Sequence, residues 1–178
     1  MAIWQFSIEF IPRKKLINYF GQIPDEIDEE IYWKEDFKSG VLLPVDYEVL
    51  LNSLAQKEKL KWTKASYNWG DYDDGTHITI NLENKNEVDI YARFHGGELK
   101  FDFIYAALKL AKQSDCVFVT SNRTIFEPYL TLFMEELKKS GAYKFCKDPK
   151  GYLQSDELKQ LSEEVKRKLD NNEFDFNS

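Results

Sequence analysis

The first apolar residues of the chain alternate with polar ones. Trp4, Phe6, Ile8 and Phe10 are separated by single polar side chains, and a period of two is typical of a strand with one buried face. The sequence therefore predicts a strand from Trp4 to Phe10. We expect Pro12 and the basic run that follows it to end this strand.

Two further alternations predict a β-hairpin. Apolar residues recur at every second position in Ile78–Leu82 and in Val88–Phe94, on either side of the polar segment Glu83–Glu87. Pairing of Leu82 with Val88 fixes the register of the other residues. On the less apolar face, it predicts three opposed pairs: His77 with Arg93, Thr79 with Tyr91, and Asn81 with Asp89.

Apolar spacing of three and four residues predicts helices elsewhere. Trp33 is expected to anchor the end of the helix predicted over residues 25–36. A short buried strand is predicted over Cys116–Val119. The predicted helices cover residues 25–36 after Pro24, 47–54, 103–111, a segment from Pro128 to Gly141, and a segment that begins at Ser155. Together these elements predict a single-domain α+β fold, with a mainly antiparallel sheet covered by helices.

Length and composition favour one soluble domain. The chain has 178 residues, of which 43% are hydrophobic and 31% charged, so one core serves it. We assign residues 1–170 to this domain and expect the polar residues 171–178 to form a flexible tail. Cys116 and Cys146 form no CxxC pair, and the chain has neither a long apolar stretch nor a secretory signal. A cytoplasmic location away from membranes is the expectation.

Charge predicts the kind of partner. A net charge of −7 disfavours nucleic acid and anionic membranes, because both are bound through Lys and Arg. Positions 25–36 carry seven carboxylates against Lys34 alone, which makes a basic protein the expected partner. A merely solvated face is the alternative. The predicted contact residues are Asp25, Glu26, Asp28, Glu29 and Glu30, with Asp71, Asp73 and Asp74 in second place.

Polar residues around Gly75 are the main candidates for chemistry. Asp71–Asp74 and His77 are types that can bind a divalent cation, but Gly75 and the absence of a distal Glu do not fit a calcium loop. A turn is the better interpretation. His77 and His95 can act as bases, and with Arg93 between them they predict a polar surface strip that could bind a partner or an anion. No common catalytic motif is present, so we predict a non-enzyme without cofactor or metal.

Aromatic and basic residues are interleaved after position 56. Trp62, Tyr67, Trp69 and Tyr72 fit either a protein interface or the core. The lysines from Lys57 to Lys64 keep nucleic-acid contact as a minor alternative to ordinary solvated side chains.

Several short motifs resemble a known group of proteins. They are the Trp-bearing first strand, Tyr67-Asn68-Trp69-Gly70-Asp71, Ala92-Arg93-Phe94, and Ser140-Gly141-Ala142-Tyr143-Lys144-Phe145 followed by Asp148-Pro149. Their arrangement resembles small bacterial immunity-like proteins. That resemblance implies an acidic cytoplasmic protein that neutralises a cognate toxin domain by binding and occluding it, and it carries over no contact residue. The alternatives are a small hydrolase or metal-dependent enzyme using His77, His95 and Asp71–Asp74, and a non-catalytic adaptor.

Overall fold

The computed structural model describes residues 3–61, 63, 65–73, 75–84, 87–156, 159–160 and 163. The strands within these residues are β1 (Gln5–Pro12), β2 (Lys57–Lys59), β3 (Ser66–Gly70), β4 (His77–Asn84), β5 (Glu87–His95), β6 (Cys116–Thr120) and β7 (Ile125–Phe126). The helices are α1 (Arg13–Phe20), α2 (Glu29–Lys34), α3 (Tyr47–Asn52), α4 (Phe101–Gln113), α5 (Leu130–Lys139), α6 (Gly141–Lys147) and α7 (Pro149–Leu153). The predicted α+β class is confirmed.

The described strands form one antiparallel sheet in the order β2-β3-β4-β5-β1-β6-β7. The first strand of the chain therefore lies inside the sheet, between β5 and β6. All three predicted hairpin pairs are confirmed: His77 with Arg93, Thr79 with Tyr91, and Asn81 with Asp89. The register then shifts between Asn81 and Asn84.

One face of the sheet carries the larger core. Phe6, Ile8 and Phe10 of β1 point to this face, where α4 and α5 cover it. Phe133 of α5 is fully buried there, and its ring meets those of Phe6 and Phe94 edge-on at 5.5 and 4.9 Å between centroids. Such edge-to-face packing is favourable beyond the apolar area it buries.

The opposite face is covered as well, which the sequence did not predict. Ile11, Val117 and Val119 point to it, and Leu16 of α1 and Tyr32 of α2 pack on them in a second, smaller core. Pro12 does end β1 as expected, but α1 follows at once and returns the chain over this face. The basic run after Pro12 belongs to a helix with a buried apolar residue.

The acidic helix is shorter than predicted because strand-like pairing occupies its first residues. Ile125 donates its backbone N–H to Asp25 O at 2.7 Å, and Ile27 donates to Arg123 O at 3.1 Å. The helix begins only after Asp28, whose Oδ1 accepts from two backbone N–H groups of the first turn. The prediction for Trp33 is wrong: it is 63% exposed, and Tyr32, at 2%, anchors the helix instead.

Of two other predicted helices, one needs correction and most of the other lies outside the residues that the structure describes. The fourth predicted helix spans Leu130–Lys139, and Gly141 opens a further helix, because Ser140 ends α5 and caps α6. Most of the helix predicted from Ser155 and the tail 171–178 lie outside the described residues. Among the helices that the structure describes, none is long and apolar enough to cross a bilayer.

Candidate functional site

The face of the sheet that carries the smaller core is apolar near β6. It becomes polar across the neighbouring strands β1, β5, β4 and β3. Strand pairing sets its side chains in rows, because Thr79 opposes Tyr91 and Tyr91 opposes Glu9, while His77 opposes Arg93 and Arg93 opposes Ser7. We call this region the polar sheet face, and it comprises Ser7, Glu9, His77, Thr79, Asp89, Tyr91 and Arg93. Its residues come from the β4–β5 hairpin and from β1, which is distant from that hairpin in the sequence.

The part of the polar sheet face nearest β3 is closed to solvent. Thr79 is 1% exposed and donates to Asn68 Oδ1 at 2.9 Å. Asn68, also fully buried, donates through its Nδ2 to Gly70 O at 2.8 Å. Buried amide and hydroxyl groups are stable only when they are hydrogen-bonded. This part of the face is therefore structural.

His77 is sealed beneath the loop that joins β3 to β4. Its ring stacks on Tyr72 at 4.9 Å and the residue is 0% exposed, so the prediction of a surface strip is wrong at this position. A carbonyl oxygen only accepts, so Nδ1–H donates to Asp71 O at 3.0 Å, and the neutral ring keeps its lone pair on Nε2. Burial lowers the pKa of His77 to about 4, against the opposing hydrogen bond to Asp71.

Arg93 marks the more open part of the polar sheet face. Its guanidinium lies 5.6 Å from the centre of the Tyr91 ring and 6.0 Å from that of Tyr72. Tyr91 donates its hydroxyl to that of Tyr72 at 3.3 Å, and burial raises the pKa of Tyr91 to about 12. Among the described residues, no carboxylate lies within ion-pair distance of Arg93.

Trp33 stands at the opposite border of this face and is held by two cations. The Nζ atom of Lys38 lies 4.9 Å from the Trp33 ring and also 3.2 Å from Glu9 Oε1. Arg123 approaches the same ring at 4.7 Å and the Tyr32 ring at 3.9 Å. Cation–π contacts of this kind favour one ring position. The exposed indole is therefore fixed from the segments on both sides of it.

Arg123 takes an unusual backbone conformation to reach this position. Its φ of 67° lies in the left-handed region, which residues other than glycine and asparagine rarely adopt. Burial lowers the pKa of the Arg123 guanidinium, and Glu9 and Glu29 act against that lowering. The β6–β7 turn thus places a cation beside Trp33 at a conformational cost.

The two predicted acidic patches lie on one side of the sheet. Asp25, Glu26 and the residues Asp28–Glu30 are exposed in the segment that leads into α2 and in its first turn. Asp71 and Asp73 are exposed in the β3–β4 loop, which folds over the polar sheet face through the Tyr72–His77 stack and a bond from Gln5 Nε2 to Asp73 O. Asp74 lies outside the described residues. The open part of the face is therefore bordered by carboxylates from both segments.

The candidate residues for catalysis do not come together as a set. His95 and Asp71 line a cleft of about 340 Å³ with Glu98 and Lys100, but His77 is not part of it. His95 Nδ1 accepts the backbone N–H groups of Gly97 and Glu98 at 3.1 and 3.0 Å, which leaves the proton on Nε2. Within the described part of the chain, no group of three His, Cys, Asp or Glu side chains is arranged to hold a metal ion.

Neither thiol is activated. Burial raises the pKa of the Cys116 thiol to about 12 and also raises that of Cys146. A nucleophilic cysteine requires the opposite shift, towards the thiolate.

Comparison with known proteins gives no relative. No family model matches the chain, and no match is found among curated proteins or solved structures. The resemblance to immunity-like proteins therefore stays a prediction, and the site rests on its own geometry. The sequence did not indicate that Lys38 and Arg123 meet Trp33. Arg123 belongs to the turn beside which residues 25–27 pair.

Proposed function

We propose that this chain is a non-catalytic binding protein of the immunity type, which neutralises a cognate protein toxin by covering a basic surface on it. The observation that carries the proposal is the outer side of α2. Glu29 and Glu30 precede Trp33 by four and three residues, so all three side chains share one side of the helix. An exposed, immobilised indole with carboxylates around it has the composition of a protein-binding centre.

The unpaired carboxylates determine which charge we expect on the partner's surface. Asp25, Glu26 and Glu30 are exposed, and within the described residues no cation lies at ion-pair distance from them. Unpaired carboxylates in a chain of net charge −7 attract a cationic surface and accelerate encounter with it. A toxin domain that acts on nucleic acid or on another polyanion presents such a surface.

Affinity in this proposal comes from the indole and from the open part of the polar sheet face. Trp33 is fixed by Lys38, Arg123 and the Tyr32 ring before any partner arrives. Little side-chain freedom is then lost on binding, which is the main benefit of preorganisation. Arg93 and Tyr91 offer a hydrogen-bond donor and an aromatic surface on the same side of the sheet.

The product of an adjacent reading frame is the partner to test. The double variant Glu26→Lys and Glu30→Lys should slow association by roughly tenfold or more at low salt, and high salt should erase most of the difference. Asp102→Lys with Glu135→Lys is the matched control, because it changes the net charge equally at exposed positions of α4 and α5. Equal association rates for the two doubles, or a binder with an acidic surface, would refute the proposal.

A small hydrolase is the second candidate, favoured by the cleft that joins His95 to Asp71. His95 would donate a hydrogen bond to the substrate through Nε2–H, and Lys100 would stabilise a negatively charged group. Assays of the purified protein with ester, amide and phosphoester substrates test this function. Activity that disappears in His95→Asn would establish it, and turnover unaffected by that change would exclude this cleft. An adaptor differs from the immunity protein only in its partner.

A further inference from the structure

A shallow cleft lies between α1 and the residues that follow α2. It has a volume of about 250 Å³, which is below the usual size of small-molecule sites and suits the end of one side chain. Its lining consists of Lys15, Asn18, Tyr19, Glu35, Asp36 and Phe37, and we call it the Tyr19 cleft. Glu35 and Asp36 are the last carboxylates of the acidic segment 25–36. The cleft therefore lies at one end of the surface that we propose as the contact with a toxin.

Tyr19 gives the cleft an aromatic wall that is both held in place and accessible. Its ring meets those of Phe20 and Phe37 edge-on, at 4.7 and 5.3 Å between centroids, yet the residue is 48% exposed. The exposed Trp33 ring already has two cations against it, whereas among the described residues no Lys or Arg lies over the Tyr19 ring. Because the face of an aromatic ring attracts cations, the Tyr19 ring is suited to a cation from outside the chain.

Glu35 supplies the same cleft with an unpaired carboxylate. The residue is half-buried and its carboxylate oxygens reach solvent. Within the described part of the chain, they make no ion pair and no hydrogen bond. Asp36 differs, because its carboxylate pairs with Lys15 at 3.4 Å and accepts from Ser39 Oγ. The charges of Lys15 and Asp36 cancel, so the net negative charge of the lining comes from Glu35.

We propose that the Tyr19 cleft receives an arginine side chain from the basic surface of the toxin, with its guanidinium against the Tyr19 ring and paired with Glu35. A guanidinium is planar, stacks on aromatic faces and donates several N–H bonds in one plane, so it engages both groups at once. Asn18, exposed at the same cleft, offers an amide oxygen as a further acceptor. A lysine ammonium is a compact point charge and fits such a lining less well. This inference rests on the proposed function, because the toxin supplies the arginine.

Titration of the full chain with blocked amino acids tests the ligand class without a toxin. N-acetyl-arginine methylamide and the corresponding derivatives of citrulline and lysine are each added up to about 50 mM at constant ionic strength, while backbone amide signals are recorded by NMR. Citrulline has the shape of arginine but carries a neutral urea group in place of the guanidinium. We expect the arginine probe to shift the amides of residues 17–19 and 35–37 with millimolar affinity, and to bind more tightly than either analogue by about threefold or more.

Two variants connect the response to the cleft. Tyr19→Leu keeps an apolar side chain against Phe37 but removes the aromatic ring, and should weaken binding of the arginine probe by about two- to fivefold. Glu35→Gln keeps the shape of the side chain but removes its charge, and should weaken binding by about the same factor. Tyr105→Leu and Glu135→Gln, at exposed positions of α4 and α5, are the matched controls and should leave binding unchanged.

The probe titration separates failure of the cleft from failure of the proposed function. The arginine assignment is overturned if the arginine probe shifts neither segment, if the citrulline or lysine probe binds as tightly, or if both cleft variants behave like the controls. None of these results affects the charge-reversal test at Glu26 and Glu30, which decides whether a toxin binds. With the toxin itself, Tyr19→Leu and Glu35→Gln should each speed dissociation by about two- to fivefold, and unchanged dissociation in both would exclude the cleft from the interface.

Discussion

The burial of His77 allows a quantitative prediction of how the free energy of unfolding decreases at low pH. The imidazole is fully buried, donates Nδ1–H to Asp71 O, and has a pKa lowered to about 4 from the 6.5 of an exposed histidine. The unfolded chain therefore binds a proton more readily than the folded one between these two values. Stability from this residue is complete above about pH 6.5, falls as the pH decreases, and is lost below about pH 4.

The magnitude follows from the difference between the two pKa values. Each unit corresponds to about 1.36 kcal/mol, and the linkage relation gives a loss of about 2.5 kcal/mol between about pH 7.5 and pH 4.5. That is a large share of the roughly 5–15 kcal/mol that stabilises an ordinary domain. The effect is therefore large enough to measure by comparison with a variant that lacks the imidazole.

His77→Asn isolates this contribution. An asparagine amide can still donate to Asp71 O from nearly the same position, but it does not titrate. Urea unfolding, followed by circular dichroism at several pH values, gives the free energy of unfolding for both proteins. The curve of the variant should be flatter by about 2.5 kcal/mol over this range, whatever its absolute stability. Parallel curves would show that His77 is not held neutral, and the reasoning about its environment would fail.

Three further substitutions test the packing and polar contacts by the same unfolding measurement. Phe133→Ala should cost about 3–5 kcal/mol, because the ring is fully buried against other aromatic rings; a cost below about 1 kcal/mol would contradict that packing. Thr79→Val should cost about 1–3 kcal/mol by leaving Asn68 Oδ1 unpaired, and a neutral effect would contradict it. Arg13→Met should cost about 1 kcal/mol, less at high salt, through its ion pairs with Asp115 and Glu127; insensitivity to salt would contradict it.

Local sequence patterns correctly predicted the elements whose apolar residues all pack against one core. The hairpin register was correct because Ile78, Ile80 and Ile90 must all face one core, and a slip by one residue would turn them to the other side. Helix α4 was predicted for the same reason, since its apolar residues contact a single face of the sheet. In such segments the local sequence and the tertiary structure demand the same arrangement.

Predictions failed where distant segments decide the local structure. Residues 25–27 pair with the β6–β7 turn and its strand, so α2 begins later and a different aromatic residue turns inward. A helical pattern alone cannot reveal that competing hydrogen-bond partner. Helix α1 was missed because its basic residues resembled the end of a strand, although Leu16 faces the second core and Gly21 ends the helix with φ of 76°.

The candidate site contains residues of two kinds. Some could be recognised from the sequence, and the position of another is known only from the fold. The carboxylates at 25–30 could be recognised from composition, because charge acts over distance and needs little geometry to attract a partner. The fixed position of Trp33 could not, because Arg123 reaches it from a segment that only the fold brings near. Rim charges chiefly govern association rates, whereas immobilised aromatic residues govern dissociation. In the proposed function, the sequence alone therefore indicates what would attract a partner, and the fold determines what would retain it.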